Sequence, residues 1–291
     1  MQVDVNGTSL WFDVEGPGLV PDGAGMRRRP TILLLHGGPG SYDHSYFKPH
    51  FTALTPIAQV VHLDLRDHGR SGRGDPSEWS FETCADDLPA FCRAIGIERP
   101  ILLGHSMGGF VAILAGARRP DFAGGLVLVG TAARFDLDRL VEAVRAAAGD
   151  QVAELARRDY GGEPVADDAW ARVFAAFGPH VPDAEALARR IRNPAVATVG
   201  MERMRHLDLL DQLPRIAVRT LVLVGDRDGV MPPAASREIV DGLPPGIGRL
   251  EVLEGVGHFP WLDDPDRFFA SVGSFVRDVA GSAAEGQASA R

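Results

Sequence analysis

Short apolar runs punctuate the chain and alternate with longer stretches of helical periodicity. Residues 31–35, 59–63, 101–103, 125–129 and 220–224 are such runs, and 249–253 is the last. Mostly apolar runs of this length predict strands buried on both faces. Residues 81–95, 233–240 and 265–279 predict helices between or after them. Alternating strands and helices imply an α/β class with a mostly parallel sheet covered on both faces. Near the N-terminus, residues 3–5 and 10–14 alternate around Asn6-Gly7, which predicts a hairpin. Residues 16–30 are rich in Gly, Pro and Arg and read as a surface loop.

The rhythm breaks between residues 134 and 213. This stretch is rich in Ala, Arg and Glu and carries no convincing strand. Candidate helices are 137–148, 151–158, 166–177 and 182–192. The expected organisation is a core made of residues 1–133 and 214–280, a helical insertion over 134–213, and a small, polar, disordered tail over 281–291. At 291 residues the chain is long enough for one large domain with an insertion. The formal net charge of −9, with no basic block longer than Arg27-Arg28-Arg29, argues against nucleic acid as a partner. No apolar run approaches the ~20 residues of a membrane span, and the first residues lack the pattern of a signal peptide. Cys84 and Cys92 fall on one expected helix, about 12 Å apart by rise alone. That is too far for a disulfide, so free thiols in a reducing cytoplasm are expected.

Four loops carry candidate chemistry, each just after an expected strand. Gly104-His105-Ser106-Met107-Gly108 is a G-x-S-x-G sequence between a strand and a helix, the pattern of a nucleophile elbow. A serine in a Gly-rich turn can be purely structural, but here the strand–turn–helix context is met. A serine hydroxyl is a weak nucleophile, so a histidine base and an orienting carboxylate are needed. His258, between Gly257 and Phe259, is the expected base. In Gly225-Asp226-Arg227-Asp228 the spacing to Pro232 favours Asp228, and Asp226 reads as a turn residue. His36-Gly37-Gly38-Pro39-Gly40 can present backbone amides to a developing oxyanion. The amides of Gly38 and Met107 are the expected oxyanion hole, with His36 bracing the loop. No role is assigned to His44, His50, His62, His105, His180 or His206. No His/Cys/Asp grouping has metal-ligand spacing, and the expected chemistry needs no cofactor and no metal.

With these loops in hand, the chain resembles the α/β-hydrolase superfamily from about residue 3 to residue 279. The order Ser106, Asp228, His258 is that of the superfamily. Asp64-Leu65-Arg66-Asp67-His68-Gly69-Arg70-Ser71 resembles its D-x-R-G-x-G-x-S loop, with Asp67 where glycine is common. The resemblance implies an eight-stranded sheet and a helical cap over the active site. His36-Gly37-Gly38-Pro39-Gly40 is similar to the loop of the prolyl aminopeptidase group. That group carries tryptophan after the nucleophile, where this chain has Met107, and its cap glutamates hold the substrate's amino end. The elbow instead resembles those of esterases, lactonases, thioesterases and C–C bond hydrolases. Epoxide hydrolases and haloalkane dehalogenases place aspartate at the nucleophile position and are disfavoured.

The expected function is therefore hydrolysis of a small carboxylic ester, lactone or thioester through an acyl-enzyme. A prolyl aminopeptidase-like exopeptidase using cap acids such as Glu142, Glu154 or Glu185 is the alternative. A non-catalytic small-molecule binding protein on the same scaffold is a second. The expected partner is a small molecule, and oligomeric state stays open. Trp170, Phe174, Phe259 and Trp261 are candidates to line the substrate pocket, although aromatics at such spacing also pack cores.

Overall fold

In the computed structural model, which describes residues 1–163 and 165–289, the first hairpin pairs β1 (Gln2–Val5) with β2 (Thr8–Glu15). Asn6 and Gly7 both take positive φ, 44° and 75°, as a two-residue hairpin turn requires. The stretch 16–30 is not a plain loop. It forms a second hairpin of β3 (Leu19–Asp22) and β4 (Gly25–Arg28). Its residues are largely exposed, so no burial alternation marks it in the sequence.

The remaining strands are β5 (Thr31–Leu35), β6 (Gln59–Leu63), β7 (Ile101–His105), β8 (Gly125–Val129), β9 (Thr220–Gly225) and β10 (Gly248–Leu253). Together with β1 and β2 they form an eight-stranded sheet in the order β1-β2-β6-β5-β7-β8-β9-β10. Pairings from β6 to β10 are parallel; β1–β2 and β2–β6 are antiparallel, so β2 alone runs against the rest of the sheet. Every residue of β7, β8 and β9 is buried, which is why these strands read as unbroken apolar runs.

Helix α1 (Phe81–Ile95) begins with a reciprocal capping box between Ser80 and Thr83 and ends at Gly96 with φ 74°. Cys84 and Cys92 are free and buried on it, and burial pushes both thiols up. Helix α2 (Met107–Arg118) follows the elbow and packs on β7 and β8, buried along most of its length.

Between β8 and β9 lie α3 (Leu137–Ala148), α4 (Asp150–Gly161), α5 (Asp167–Ala175), α6 (Ala184–Arg189) and α7 (Pro194–Arg205). Helix α6 is shorter than expected, and α7 was not expected at all. Its start is nonetheless a standard one: Asn193 caps Val196 N–H, and Pro194 takes the first helical position. Thr198, Val199 and Gly200, poor helix formers, hide it.

After β9 come α8 (Pro233–Gly242), α9 (Pro260–Asp263) and α10 (Pro265–Ser289). The expected disordered tail falls on α10 up to Ser289, and its last two residues lie outside the described ones. Among the described residues no helix is long and apolar enough to cross a membrane.

Candidate active site

All four candidate loops leave the carboxyl ends of parallel strands: β5, β7, β9 and β10. This is the edge where open α/β sheets build their sites. The structure brings Gly37, Gly38, Ser106, Val230, Met231, His258 and Phe259 to one cavity of about 500 Å³.

Ser106 sits at φ 52°, ψ −118°, a strained conformation for a residue with a side chain, costing on the order of 1–3 kcal/mol. The turn is tied down around it. Ser106 N–H donates to Val129 C=O at 2.9 Å, and Thr131 Oγ1 donates to Ser106 C=O at 2.8 Å. The flanking glycines are steric necessities. A Cβ on Gly104 would lie 2.3 Å from Gly108 O, and one on Gly108 would lie 2.1 Å from Leu35 O.

His258 Nδ1 and Asp228 Oδ2 are 2.8 Å apart, both buried. Asp228 Oδ1 accepts the N–H groups of Val230 and Met231, at 2.9 and 2.8 Å. The carboxylate is thus fully engaged, with one oxygen left for the imidazole. Asp226 serves elsewhere: its Oδ1 accepts Gly255 N–H and ties the two loops together. The chain places the carboxylate and histidine side by side, and the hydrogen bond assigns the proton to Nδ1, leaving Nε2 as the free base.

The loop after β5 is held from several sides. His36 Nε2 accepts Leu65 N–H at 3.1 Å, and its Nδ1 lies 2.7 Å from Gly37 C=O. Burial lowers the pKa of His36, consistent with a neutral brace. His68 Nε2 accepts Gly40 N–H at 2.8 Å, and burial holds His68 down to about 3. Helix α7 presses on the same loop. Asn193 N–H donates to Gly40 C=O at 2.8 Å, and a Cβ on Gly40 would lie 2.4 Å from Ala197 N. Gly40 therefore serves the packing of the cap, not only the presentation of amides. Gly38 and Met107 lie side by side, since a Cβ on Gly38 would stand 3.4 Å from Met107 Sδ.

Sequence reasoning missed a buried relay that links these loops. Gly37 N–H donates to the Tyr46 hydroxyl at 2.7 Å, and that hydroxyl lies 2.9 Å from His105 Nδ1. His105 Nε2 lies 2.8 Å from His258 C=O. Hence Tyr46 O–H donates to Nδ1, and Nε2–H donates to the carbonyl. Burial drives the His105 pKa well down, and burial raises that of Tyr46. Both stay neutral. The His105 partners are 59 and 153 residues away in the chain, so no local signal could reveal them.

Trp170, Phe174 and Phe259 line the cavity, as do Tyr42, Phe177, Met201 and Met204. Trp261 does not. It is packed against Phe47, Phe51 and Phe268 and anchors the last loop to the core. The acids named for the aminopeptidase alternative also stand elsewhere. Glu142 and Glu185 pair with Arg145 and Arg189 on the surface, and Glu154 is exposed. The acids that do line the cavity are Asp159 and Asp167. The one grouping with metal-ligand geometry among the described residues is Asp43, His44 and Asp64. Its carboxylate oxygens are already engaged by the N–H groups of Ser45, Ile191, His44 and Arg70.

Comparison with known proteins places this geometry in context. Residues 30–265 match the model of the alpha/beta hydrolase fold family. The chain is 27 % identical over 278 residues to the proline iminopeptidase PfmaB of Pestalotiopsis fici, covering 91 % of this chain and 94 % of that protein. It is 27 % identical over 258 residues to a pimeloyl-[acyl-carrier protein] methyl ester esterase of Neisseria meningitidis, covering 85 % and 77 %. The solved structure of a proline iminopeptidase from Mycobacterium smegmatis superposes with a TM-score of 0.75 at 24 % identity, covering 97 % of this chain and 99 % of the other, a likeness of fold.

Proposed function

We propose that this chain, which belongs to the alpha/beta hydrolase fold family, hydrolyses a small carboxylic ester, lactone or thioester through an acyl-enzyme on Ser106. The observation that carries the reading is the meeting of Ser106, Gly38 and His258 at one cavity, with Asp228 2.8 Å from His258 and Met107 beside Gly38. Relatives with ester and peptide substrates in their names support a hydrolase of acyl bonds.

The cycle follows from the proton positions. His258 Nε2 takes the hydroxyl proton as Ser106 Oγ attacks the carbonyl carbon. The Gly38 and Met107 N–H groups receive the carbonyl oxygen as it becomes negative; donors fixed in place lose no energy to reorientation. Asp228 holds the Nδ1–H tautomer and stabilises the imidazolium. The imidazolium returns its proton to the leaving group as the tetrahedral carbon collapses. Water then adds to the acyl carbon, deprotonated by the same nitrogen, and Ser106 is released with its proton restored. The free thiols Cys84 and Cys92 support a cytoplasmic setting for this chemistry.

An aminopeptidase reading is favoured by one observation: the Asp159 carboxyl lines the cavity. Such a group could meet a free amino end. The deciding experiment is a comparison of wild type with Ser106→Ala on a short-chain p-nitrophenyl ester, an acyl thioester and an alanyl or prolyl arylamide. Ester or thioester turnover that falls by several orders of magnitude in the variant is expected. Near-normal turnover by Ser106→Ala overturns the assignment. Arylamide turnover alone selects the peptidase. A ligand bound and recovered unchanged by wild type selects the binding protein.

A further inference from the structure

The cavity above Ser106 is mostly aromatic and aliphatic, yet two arginines stand in its wall. Arg190 and Arg192 both line it, in the segment that leaves α6. Several other arginines of the insertion are paired with acids, whereas Arg172, Arg203 and Arg205 bond to amide or carbonyl oxygens. Arg139, Arg145, Arg157, Arg158 and Arg189 each pair with a carboxylate, mostly at the surface. Among the described residues neither Arg190 nor Arg192 forms a salt bridge. Arg190 Nε donates to Leu187 C=O at 2.9 Å, and its guanidinium lies over the Tyr42 ring at 4.8 Å. The fork also meets the Tyr42 hydroxyl, and the Asp43 charge acts on it without forming a salt bridge.

The nearby acids are committed elsewhere. Asp43 accepts the N–H groups of Ser45 and Ile191 at 2.8 Å each. Asp159 comes from α4; burial raises its pKa against the opposing Val165 backbone hydrogen bond and Arg205 charge, and Asp167 opens α5, where the helix dipole favours it. Arg190 is half-buried, and burial lowers its pKa, with the like charge of Arg192 adding to the effect. Two nearby cations without a salt bridge among the described residues, Arg190 stacked on Tyr42 in the cavity wall and Arg192 beside it, are organised to receive an anion. A guanidinium fork matches a carboxylate or phosphate in two-point geometry.

We propose that Arg190, assisted by Arg192, binds an anionic group on the substrate, so that the natural substrate is an acidic ester such as the half-ester or half-thioester of a dicarboxylic acid. This rests on the acyl-hydrolase reading of Ser106. The Tyr42 ring links Arg190 to the reaction centre, 5.0 Å from the Tyr46 ring and 6.5 Å from that of Phe259. A cavity of about 500 Å³ accepts a short diacid chain between the two ends.

The test compares p-nitrophenyl hydrogen adipate with p-nitrophenyl hexanoate, equal in chain length and different in charge. Wild type should favour the half-ester in kcat/KM by about ten- to a hundred-fold, the range of charge-assisted hydrogen bonds, mainly through KM. In Arg190→Gln the half-ester should lose at least ten-fold more than the hexanoate, and Arg190→Lys should recover part of the preference. Arg192→Gln, at an exposed position, should lose less. No preference in wild type, or one unchanged in Arg190→Gln and in the double variant, overturns the proposal.

Calorimetry with adipate and with inorganic phosphate on folded Ser106→Ala separates the sources of the anion. It also keeps the test independent of turnover. Adipate binding lost in Ser106→Ala/Arg190→Gln supports the carboxylate. Tighter binding of phosphate than of adipate replaces it with a phosphate group, and binding of neither removes the site. If both esters turn over without dependence on Ser106, the hydrolase reading fails separately.

Discussion

Tyr46→Phe removes one oxygen atom and tests whether the buried relay sets the geometry of the site. That oxygen accepts Gly37 N–H at 2.7 Å and donates to His105 Nδ1 at 2.9 Å. Tyr46 is 3 % exposed and His105 2 %, so neither orphaned partner reaches bulk water. An unsatisfied buried donor or acceptor costs about 1–3 kcal/mol. Two are created, one at Gly37 and one at His105, so the unfolding free energy should fall by about 2–6 kcal/mol. The ring itself keeps its place, stacked on Phe47 at 4.4 Å and edge-on to Phe259. The loss is therefore polar and not a packing cavity. Activity should fall too, because Gly37 directly precedes Gly38, whose amide is proposed to receive the oxyanion. Deleting an oxyanion donor costs 10²–10³ in kcat in known cases, so loosening one should cost about ten- to a hundred-fold, in kcat more than KM. Urea unfolding and steady-state kinetics on a p-nitrophenyl ester measure both. A coupling of about 1 kcal/mol or more between Tyr46→Phe and His105→Gln is expected for groups in one chain of hydrogen bonds. A change under about 0.5 kcal/mol with kcat within two-fold would show that the relay is incidental.

Asp228→Asn keeps the shape of the carboxylate but loses its charge and favours the wrong imidazole tautomer. A folded protein with kcat lower by about 10⁴ is expected, and near-normal turnover would remove Asp228 from the mechanism. Gly178→Ala puts a Cβ 2.6 Å from the Gly257 Cα and 3.1 Å from the His258 nitrogen. The backbone must shift, so a loss of about 1–3 kcal/mol with a drop in kcat is expected; a silent variant would show that the contact is soft. Stability should also fall with acid. His62 is fully buried, both ring nitrogens lack a hydrogen-bond partner, and burial holds its pKa down to about 4 despite Glu15 nearby. Between about pH 6.5 and 4 the unfolded chain takes up a proton that the folded one refuses. Stability is therefore complete above that window and lost as pH falls through it, by about 2 kcal/mol per such histidine at pH 5. Chemical denaturation at pH 7 and pH 5 should show the loss, smaller in His62→Gln; equal midpoints at both pH values would contradict it.

The parallel strands were legible because strands buried on both faces leave unbroken apolar runs. The hairpin β3–β4 left no such trace, being largely exposed. Helix α7 was masked by Thr198, Val199 and Gly200 even though Asn193-Pro194 announced its start. At the site, each loop could be read alone from its glycines and its place after a strand. The adjacency of Asp228 to His258 could be inferred from their order, whereas the role of His105 could not. Its ring is placed by Tyr46 and by the His258 carbonyl, and both contacts depend on the final packing of distant loops. Trp261 shows the same limit in reverse, since an aromatic beside the histidine can wall a cavity or anchor a loop. Only its packing on Phe47, Phe51 and Phe268 decides.

The insertion is pinned to the site at two points, and this restricts how a substrate can enter. At one, His258 N–H donates to Phe177 C=O at 2.8 Å, and Gly178 lies against Gly257. At the other, Asn193 N–H holds Gly40 C=O, and Gly200 lies so near Pro39 that a Cβ would stand 2.4 Å from the ring. A swing of the whole insertion would break both contacts and displace His258 and the loop after β5 together. Between the two pins runs α6, which buries none of its own residues. Its outer tie is Ile191 N–H to Asp43 Oδ2 at 2.8 Å. Displacing this segment would open the cavity wall without breaking either of those contacts. The same segment carries Arg190 and Arg192. An anion bound by these arginines would hold α6 against Tyr42, so recognition of the acidic end and closure over the reacting end would be one event.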